Sequence, residues 1–409
     1  MSDFRTIQNL IPEIAAIRRR QVLQPMGGKG DKIFPPTYPA ERPNQPPRHV
    51  YEKRRIDGRE VWCVLVDSVA SQANRLEEAL SGAIAEGVVI PYLYVDFAGK
   101  GLRGIERITS LDAPHRVFDA IFRDSKLGRE PFMKTELGTR LAGAKSADAS
   151  ALLEVAPTAL LFGAWHSTGE GGGLGAKFAR CLVSEIVAID VPVEEVRDPR
   201  SGVLEPCTLG RRVGSRIDPL GVLRAVEVYV GQSGWDTDPA KAGPGAKKKR
   251  PSEINHGNIA PSVMPLGITC DRLEHNFVLS CAGLRRLRFG GSERDAAGRA
   301  LLAALGMLAV VEQDARGYAL RSRCDLVCDG AAPFEVVHRD GRSEPLAIDR
   351  EGARELYRQA FERAKRAGFA FAEEPLRLEP EPKLVEIVKQ SQERALAGRG
   401  GEAEEGEGS

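Results

Sequence analysis

The sequence predicts an α+β fold with a largely antiparallel sheet. Strand-like and helix-like segments are interspersed along the 409 residues without the regular βαβ repeat of doubly wound folds. Glu60 to Val66 is an apolar run of strand length, which indicates a buried strand. From Ala179 to Val191 every second residue is apolar, with Glu185 as the exception, and this also favours a strand. At 42% hydrophobic and 28% charged residues, the chain can bury one large core or two modest ones.

The N-terminal part is amphipathic from Ile7 to Val22 and then rich in Pro and Gly from Gln24 to Pro47, which predicts irregular chain. After the Glu60 strand, Asp67 and Ser68 supply an N-cap for a helix that runs until Gly87. The apolar residues of this helix share one face at the 3.6-residue period: Val69, Ala73, Leu76, Leu80, Ala83 and Ile84.

Further along the chain, Gly267 to Ser280 alternates like a strand, and Asp295 to Met307 reads as a buried Ala/Leu-rich helix. Pro382 to Ala397 is a candidate amphipathic helix, and we expect the Gly/Glu tail from Gly398 to Ser409 to be disordered. We therefore expect three parts: a basic, partly irregular segment at 1–59 packed on or inserted beside the main domain, the main domain at 60–372, and a C-terminal helix and acidic tail at 373–409. Within the main domain, residues 232–251 read as a mobile basic loop because Gly, Pro and Lys are frequent there.

Charge and cysteine usage narrow the class of protein. The totals of 58 basic and 57 acidic residues give no global positive field, so any nucleic-acid binding must be local. Residues 1–60 nevertheless carry a surplus of five positive charges, and residues 373–409 a surplus of five negative charges. Seven cysteines without a Cys-x-x-Cys pair indicate free thiols in a reducing cytosol and argue against a metal site. No apolar signal core and no run of about 18 apolar residues is present, so we expect a cytoplasmic protein without a membrane span.

The most informative motif is a glycine-rich turn followed by a basic strand, between Phe162 and Arg180. Five of the seven residues from Gly169 to Gly175 are glycine, so the backbone there can approach a ligand closely. Lys177, Phe178 and Arg180 follow, and two cations with an aromatic ring suit a phosphodiester and a base. A flexible surface turn would show the same glycines, and this alternative stays open.

The same loop resembles two nucleotide-binding motifs. Gly171, Gly173 and Ala176 match the dinucleotide fingerprint, with Asp190 nineteen residues after Gly171. That fingerprint requires a helix immediately after the loop, whereas the alternation there predicts a strand. A Walker loop is excluded because Ala176 separates Gly175 from Lys177 and no Ser or Thr follows the lysine.

Three other polar groups are candidates for binding. Ser71, Gln72, Asn74 and Arg75 lie in the first turns of the predicted helix, where the helix dipole favours an anion, although ordinary capping explains them as well. The run 211–218 contains three arginines suited to phosphate oxygens. In the run 252–258, Asn255, His256 and Asn258 lie next to a glycine. These residues suit contact with bases or ribose, and an Asx turn explains them equally well.

Taken together, several strings in order resemble the type I-G (formerly I-U) CRISPR-associated RAMP protein, the Cas-seven-group backbone subunit of Cascade. The resemblance covers most of residues 60–330. It is carried by LVDSVASQANRLEEAL (65–80), HRVFDAIFRDS (115–125), LLFGAWHSTGEGGGLGAKFARCLVSEIVAIDV (160–191), RRVGSRIDPLG (211–221), PSEINHGNIAPSV (251–263) and LRRLRF (284–289). The resemblance implies a modified RRM-like (ferredoxin-like) palm with large insertions, which polymerises along a CRISPR RNA and holds the guide backbone without reading its sequence.

The resemblance also implies partners and a set of RNA-binding residues. The partners are CRISPR RNA, target DNA through the guide, further copies of the chain along the RNA, and other Cascade subunits, namely the large subunit and the fused five/six-group RAMP subunit. We also expect no cofactor, no metal site and no enzymatic activity, because the sequence shows neither a metal-ligand cluster nor a convincing His-centred catalytic site. The RNA-binding role is carried onto Ser71, Gln72, Asn74, Arg75, His115, Arg116, Ser167, Thr168, Gly171, Gly172, Gly173, Lys177, Arg180, Arg211, Arg212, Ser215, Arg216, Asn255, His256 and Asn258.

Two other classes remain open at this point. A RAMP endoribonuclease that processes precursor CRISPR RNA would use His115, His166 or His256 as general base and Asp218 to activate a 2′-hydroxyl. A nucleotide-dependent enzyme would use Gly171 to Ala176. The role of the insert at 239–250 is not assigned by the resemblance.

Overall fold

A computed structural model describes residues 9–39, 48–166, 175–198, 202–214, 226–254, 256 and 262–398. The strands are β1 Ile14–Pro25, β2 Tyr51–Ile56, β3 Arg59–Asp67, β4 Leu93–Asp96, β5 Arg107–Thr109, β6 Ser125–Leu127, β7 Glu130–Pro131, β8 Ala164–Trp165, β9 Lys177–Phe178, β10 Leu182–Ile189, β11 Val193–Arg197, β12 Leu204–Thr208, β13 Arg212–Gly214, β14 Val228–Gly231, β15 Gly234–Asp236, β16 Lys247–Lys249, β17 Ser262–Met264, β18 Arg272–Ser280, β19 Tyr318–Arg321, β20 Cys324–Cys328, β21 Phe334–His338, β22 Ser343–Leu346 and β23 Leu376–Pro380. The α-helices are α1 Val69–Ala85, α2 Ala120–Arg123, α3 Glu136–Ala142, α4 Ser150–Val155, α5 Thr158–Phe162, α6 Pro239–Ala242, α7 Cys281–Arg286, α8 Ser292–Arg316, α9 Arg350–Arg366 and α10 Pro382–Gly398.

The chain divides into two compact units. The first contains Met1–Pro36, Tyr51–Val191 and Cys270–Gln392, and the second contains Thr37–Val50, Pro192–Thr269 and Glu393–Ser409. The first unit is built on a nine-stranded sheet, in which the order β19-β20-β1-β18-β10-β3-β2 is extended by β21 and β22 beside β1. All its strand pairs are antiparallel. The α+β fold with a largely antiparallel sheet is therefore confirmed.

The centre of this sheet has the topology of an RRM-like palm. In chain order, β1, α1, β10, β18, α8 and β20 follow the pattern β-α-β-β-α-β. In space the four strands lie in the order β20-β1-β18-β10, which is the 4-1-3-2 order of the ferredoxin-like fold. The hairpin β2–β3 is an addition to this unit, since it lies between β1 and α1 in sequence and pairs with β10 at the edge of the sheet.

The segment before residue 60 contributes a central strand of the palm. Strand β1 pairs with β18 along eight positions, from Ala16 with Ser280 to Leu23 with Leu273. Buried and more exposed side chains alternate along β1, as in a strand with one face in the core; Ile17, for example, is buried and Arg18 is exposed. We expected the segment 1–59 to pack on or beside the palm, but the sheet order puts β1 within it.

Helices α1 and α8 cover one face of the sheet. Ser68 caps α1 as expected, because its side chain accepts a hydrogen bond from the Ser71 amide (3.3 Å). Helix α8 is buried from Ala300 to Gln313, and its glycine Gly306 leaves room for the Leu182 side chain, which lies 3.0 Å from the position that a Cβ would take. The predicted helices at 69–87, 295–307 and 382–397 are thus present as α1, α8 and α10, although α8 extends beyond the predicted bounds.

A buried polar chain runs between the sheet and these helices. His275 on β18 has its Nε2 2.7 Å from the Ser184 hydroxyl and its Nδ1 2.9 Å from the Tyr318 hydroxyl. Tyr318 in turn donates to Asp314 on α8, which also accepts from Arg19. Burial lowers the pKa of His275 to about 3, so the ring is neutral and joins the two hydroxyl groups as one donor and one acceptor.

Smaller sheets complete the two units. In the first unit, β5-β4-β23-β6-β7 form a sheet in which β23 is parallel to β4. In the second unit, β11 pairs with β12, β13 with β17, and β15-β14-β16 form a three-stranded sheet. Among the residues described, no helix is both long and apolar enough to cross a membrane.

The segment 232–251, which we expected to be a mobile loop, is regular structure. It contains β15, α6 and β16, and Lys248 pairs with Tyr229 across the sheet. The alternating lysines of β16 face opposite sides of the sheet, and the Asp238 side chain caps α6 by accepting from the Ala240 amide (2.9 Å). The frequency of Gly, Pro and Lys predicted a loop because composition takes no account of strand pairing. The paired strands β14 and β16 are about twenty residues apart in sequence. The acidic tail from residue 399 lies outside the described residues.

Candidate nucleic-acid interface

Two short strands hold the ends of the glycine-rich loop together. Trp165 on β8 pairs with Lys177 on β9, and the His166 amide donates to the Ala176 carbonyl oxygen (2.8 Å). The loop residues Ser167, Thr168, Gly171, Gly172 and Gly173 lie outside the described residues. The described residues on either side, His166 and Ala176, are joined by this hydrogen bond.

Glycines are required at both ends of this ribbon. Gly163 has φ +85°, and Gly175 has no room for a side chain because a Cβ there would lie 2.3 Å from the His166 carbonyl oxygen. Any larger residue at Gly175 would push the two stems apart. At least these glycines therefore serve the local backbone geometry.

A cleft of about 920 Å³ opens beside the ribbon in the first unit. It brings together parts of the chain that are distant in sequence: the turn at Pro114–Arg116, the end of α5, both ribbon strands and helix α7. The predicted residues His115, Arg116, Lys177 and Arg180 all line this one cleft. The sequence strings 115–125 and 160–191, which were recognised separately, thus meet at a single surface.

The cleft is strongly cationic. Lys177, Arg180 and Arg286 line it with exposed side chains, and no aspartate or glutamate is among its described lining residues. Arg180 is held in place by a hydrogen bond from its Nε to the Phe162 carbonyl oxygen (3.1 Å). The Lys177 ammonium group lies 5.3 Å from the centre of the Trp165 ring, and this ring is 60% exposed. Cations that have no carboxylate partner within the described part of the chain, beside an open aromatic ring, suit phosphate oxygens and a stacked base.

Arg286 was not among the residues predicted from the sequence. It lies in the last turn of α7 and reaches the cleft near Cys181, whose pKa burial raises to about 11 against the opposing effect of Arg286. The signal was present in the sequence as the basic run 284–289. The structure separates the arginines of that run, because Arg286 lines the cleft whereas Arg285 donates to the carbonyl oxygens of Ile11 (2.8 Å) and Ile14 (2.7 Å).

Arg116 has a structural role in this cleft. It forms a two-pronged ion pair with Glu77 on α1 (Nε 2.7 Å, Nη2 2.8 Å) and donates its third nitrogen to the Gly163 carbonyl oxygen (3.1 Å). Both side chains are buried, at 9% and 1% exposure. All three nitrogens are engaged within the protein, so Arg116 fixes the turn at residue 116 and the start of β8 rather than offering free donors to RNA.

The polar residues at the start of α1 are organised round one carboxylate. Asp67 is fully buried and accepts hydrogen bonds from the side chains of Ser71 (2.8 Å), Gln72 (2.7 Å), Arg75 (2.9 Å) and Arg321 (3.3 Å). Gln72 has no exposed surface, which leaves it no route to RNA. These residues fix the junction between β3 and α1.

Asn74 differs from its neighbours at this junction. It is the exposed member of the predicted group 71–75, while Ser71 and Arg75 are half-buried. Of the four residues predicted here, Asn74 is therefore the one whose side chain is most open to a ligand.

The remaining predicted residues belong to the second unit. Arg211 donates to the carbonyl oxygens of Thr208 (2.8 Å) and Gly210 (3.0 Å), whereas Arg212 begins β13 with an exposed side chain. His256 packs its ring against Trp235, with the ring centres 4.8 Å apart. The other predicted residues of this unit lie outside the described residues: Ser215, Arg216, Asn255 and Asn258.

The histidines considered for catalysis lie in three different local surroundings. His166 is buried, stacks on Phe118 with ring centres 5.2 Å apart, and has a pKa lowered by burial. His115 lies at the exposed rim of the cleft, and His256 is in the second unit. Asp218 lies outside the described residues. Within the part of the chain that is described, no group of three or more His, Cys, Asp or Glu is arranged to hold a metal ion.

Comparison with known proteins agrees with the resemblance seen in the sequence. Residues 17–193 match the family model described as CRISPR-associated protein GSU0053. This range begins in β1 and ends just after β10, so it includes α1, the turn at Arg116 and the ribbon beside the cleft. No curated protein matches the chain.

Proposed function

We propose, from the match of residues 17–193 to a CRISPR-associated family and from the cationic cleft, that this chain is the CRISPR RNA-binding backbone subunit of a type I-G Cascade-like complex. In this role copies of the chain polymerise along the guide and present it for pairing with target DNA. Its partners are the guide RNA, further copies of itself, and the large and fused five/six-group RAMP subunits.

The observation that carries the proposal is the cleft beside the β8–β9 ribbon. Lys177, Arg180 and Arg286 offer three cations, and none of the described residues that line the cleft is a carboxylate that could neutralise them. Because the chain as a whole is nearly neutral, a local cluster of this kind is what can concentrate an anionic polymer. The cleft also carries Trp165 as an exposed ring, which stacks on any base. Backbone contacts and stacking are the two interactions that hold RNA without reading its sequence.

We propose that the protein binds the guide without cleaving it. A general base must lie within hydrogen-bond reach of the hydroxyl that it activates. His115 is at the rim of the cleft, where its backbone amide donates a hydrogen bond to the Asp119 carboxylate (3.2 Å). His166 is buried against Phe118. A guide-holding subunit needs neither an acid nor a base.

The experiment is to produce the chain together with its neighbouring gene products and a CRISPR array, and to analyse the RNA that co-purifies. We expect RNA of discrete length in a multi-copy assembly. We expect the triple variant Lys177→Ala, Arg180→Ala, Arg286→Ala to lose this RNA, and the charge-matched variant Arg358→Ala, Lys365→Ala, Arg366→Ala on the exposed face of α9 to keep it.

A second measurement addresses the endoribonuclease alternative. Labelled repeat RNA incubated with the purified chain should stay intact with and without magnesium. Cleavage that is lost on replacing His115, His166 or His256 would identify a processing enzyme and contradict the proposal.

A further inference from the structure

The three-stranded sheet of the second unit carries an aromatic and a basic side chain on one face. The register places Trp235 on β15 beside Val230 on β14, and Val230 beside Lys247 on β16. Directly opposed residues of paired strands point to the same side of a sheet, so these three side chains form one row. Tyr229 and Lys248 are displaced by one residue and therefore belong to the opposite face.

The row is open to solvent and is not neutralised. Trp235 is 50% exposed, Lys247 is exposed, and among the described residues no carboxylate lies within ion-pair distance of Lys247. Lys248, by contrast, is paired with Glu227 on the opposite face (2.5 Å). The His256 ring packs against one side of Trp235 and so limits the orientations of the indole.

The backbone under this row is tightly packed. The β14–β15 turn lies against the end of α6, where the Ser233 amide donates to the Ala242 carbonyl oxygen (3.0 Å). A Cβ at Gly231 would lie 2.4 Å from that same oxygen, so the turn approaches α6 as closely as glycine permits. The strand that carries Trp235 is therefore held by this turn, and the indole is packed against His256, so the ring loses little freedom when a ligand binds.

We propose that Trp235, Val230 and Lys247 form a binding site for an unpaired nucleic-acid strand, with a base stacked on the indole and a neighbouring phosphate at the lysine. A flat aromatic surface beside an unneutralised cation is the combination that binds single strands irrespective of sequence. The site lies in the second unit and does not depend on the cleft of the first unit or on the guide-binding role. Either RNA or DNA can supply the base and the phosphate.

The test measures fluorescence anisotropy of short labelled oligothymidylate and oligouridylate with the full-length chain. The background is the triple variant Lys177→Ala, Arg180→Ala, Arg286→Ala, in which the cleft is disabled. We expect Trp235→Ala in this background to weaken binding by roughly tenfold, the size of one lost base stack, and Trp235→Phe to retain part of the affinity. We expect Lys247→Gln to lower the slope of log K against log salt by about one.

Lys248→Gln is the matched control, since it changes the same residue type one position along the same strand but on the other face. Equal losses for Lys247→Gln and Lys248→Gln, or undiminished binding by a folded Trp235→Ala chain, would overturn the proposal. Thermal midpoints establish that each variant is folded, and Trp235→Phe provides the readout if Trp235→Ala is not. Tighter binding of oligothymidylate than of oligouridylate would assign the strand as DNA, and the reverse as RNA. The cleft is disabled in every variant of this test. A negative result here would therefore leave the guide-binding proposal intact, and a negative result for guide binding would not affect this measurement.

Discussion

Lys177 and Trp165 lie directly opposite each other on the ribbon that closes the glycine-rich loop, with the ammonium nitrogen 5.3 Å from the indole centre. Both are exposed, and both lie at the entrance of a cleft with no carboxylate among its described lining residues. The pair therefore presents a cation and an exposed aromatic ring side by side at the cleft.

The first prediction concerns this pair. Trp165→Ala should weaken binding of single-stranded RNA by roughly tenfold, because one base stack is lost, while Trp165→Phe should retain much of the affinity. The thermal midpoint should change little, since the ring is 60% exposed. Electrophoretic titration with unstructured RNA measures the first effect and calorimetry the second. A folded Trp165→Ala chain that binds RNA as well as the unmodified protein would show that the ring is an ordinary surface residue.

The second prediction separates structural from RNA-binding arginines in the cleft. Arg116→Ala leaves the Glu77 carboxylate buried without its partner and should lower the free energy of unfolding by about 3–5 kcal/mol. Arg180→Ala, at an exposed position, should leave stability within about 0.5 kcal/mol but weaken RNA binding. Urea unfolding and RNA titration of the two variants measure both properties. If Arg116→Ala is stable and binds RNA poorly, our assignment of that residue is wrong.

The third prediction concerns Gly175. Alanine at this position places a methyl group against the His166 carbonyl oxygen, at 2.3 Å before relaxation, and must displace one stem of the ribbon. We expect weaker RNA binding together with faster amide exchange at His166, whose amide bonds to Ala176 across the ribbon. Gly245→Ala, at a glycine with open space round it but φ +75°, is a control for backbone strain in the second unit. Unchanged exchange at His166 would mean that the ribbon accommodates the methyl group.

Much of the fold was predictable from the sequence because short segments carry the signals for individual strands and helices. The apolar run at 60–66 and the N-cap at Ser68 gave β3 and α1 with nearly correct bounds, since both signals are contained within a few residues. Strand β1 was less clear because buried Arg19 interrupts its apolar alternation, and the partners of that arginine include Asp314 and the Ala332 carbonyl oxygen, both about three hundred residues away. Lys247 to Lys249 looked like a loop for a related reason, because the strand that pairs with it is not adjacent in sequence.

The candidate site was predictable as a set of motifs, but the roles of individual residues were not. Gln72 and Arg116 carry polar groups that look available in the sequence, yet the structure engages them with Asp67 and Glu77. Arg286 looked like one basic residue among several, yet it faces the cleft. Burial and pairing depend on contacts between distant segments, which a single sequence does not display.

The fourth prediction concerns His275, the histidine of the buried polar chain between the sheet and the helices. Its pKa falls from 6.5 to about 3 on folding because the charged ring would be desolvated, so the unfolded chain binds more protons than the folded chain between these values. His275 therefore makes stability fall as the pH is lowered through that window, by at most about 5 kcal/mol. His275→Gln should be less stable than the unmodified protein near neutral pH but should lose less stability on acidification. Urea unfolding at several pH values measures the slope, and parallel slopes for the two proteins would rule out this contribution.

The central claim is that the cationic cleft beside the glycine-rich loop holds RNA through its backbone. The most direct test is the affinity of the purified chain for unstructured RNA of two unrelated sequences over a range of salt concentrations. We predict nearly equal affinities for the two sequences, a steep loss of affinity with salt, and a much shallower slope when Lys177, Arg180 and Arg286 are replaced by alanine. The α9 variant of Arg358, Lys365 and Arg366 should keep the original slope. Strong preference for one sequence, or the same slope in the cleft variant and the unmodified protein, would contradict the claim.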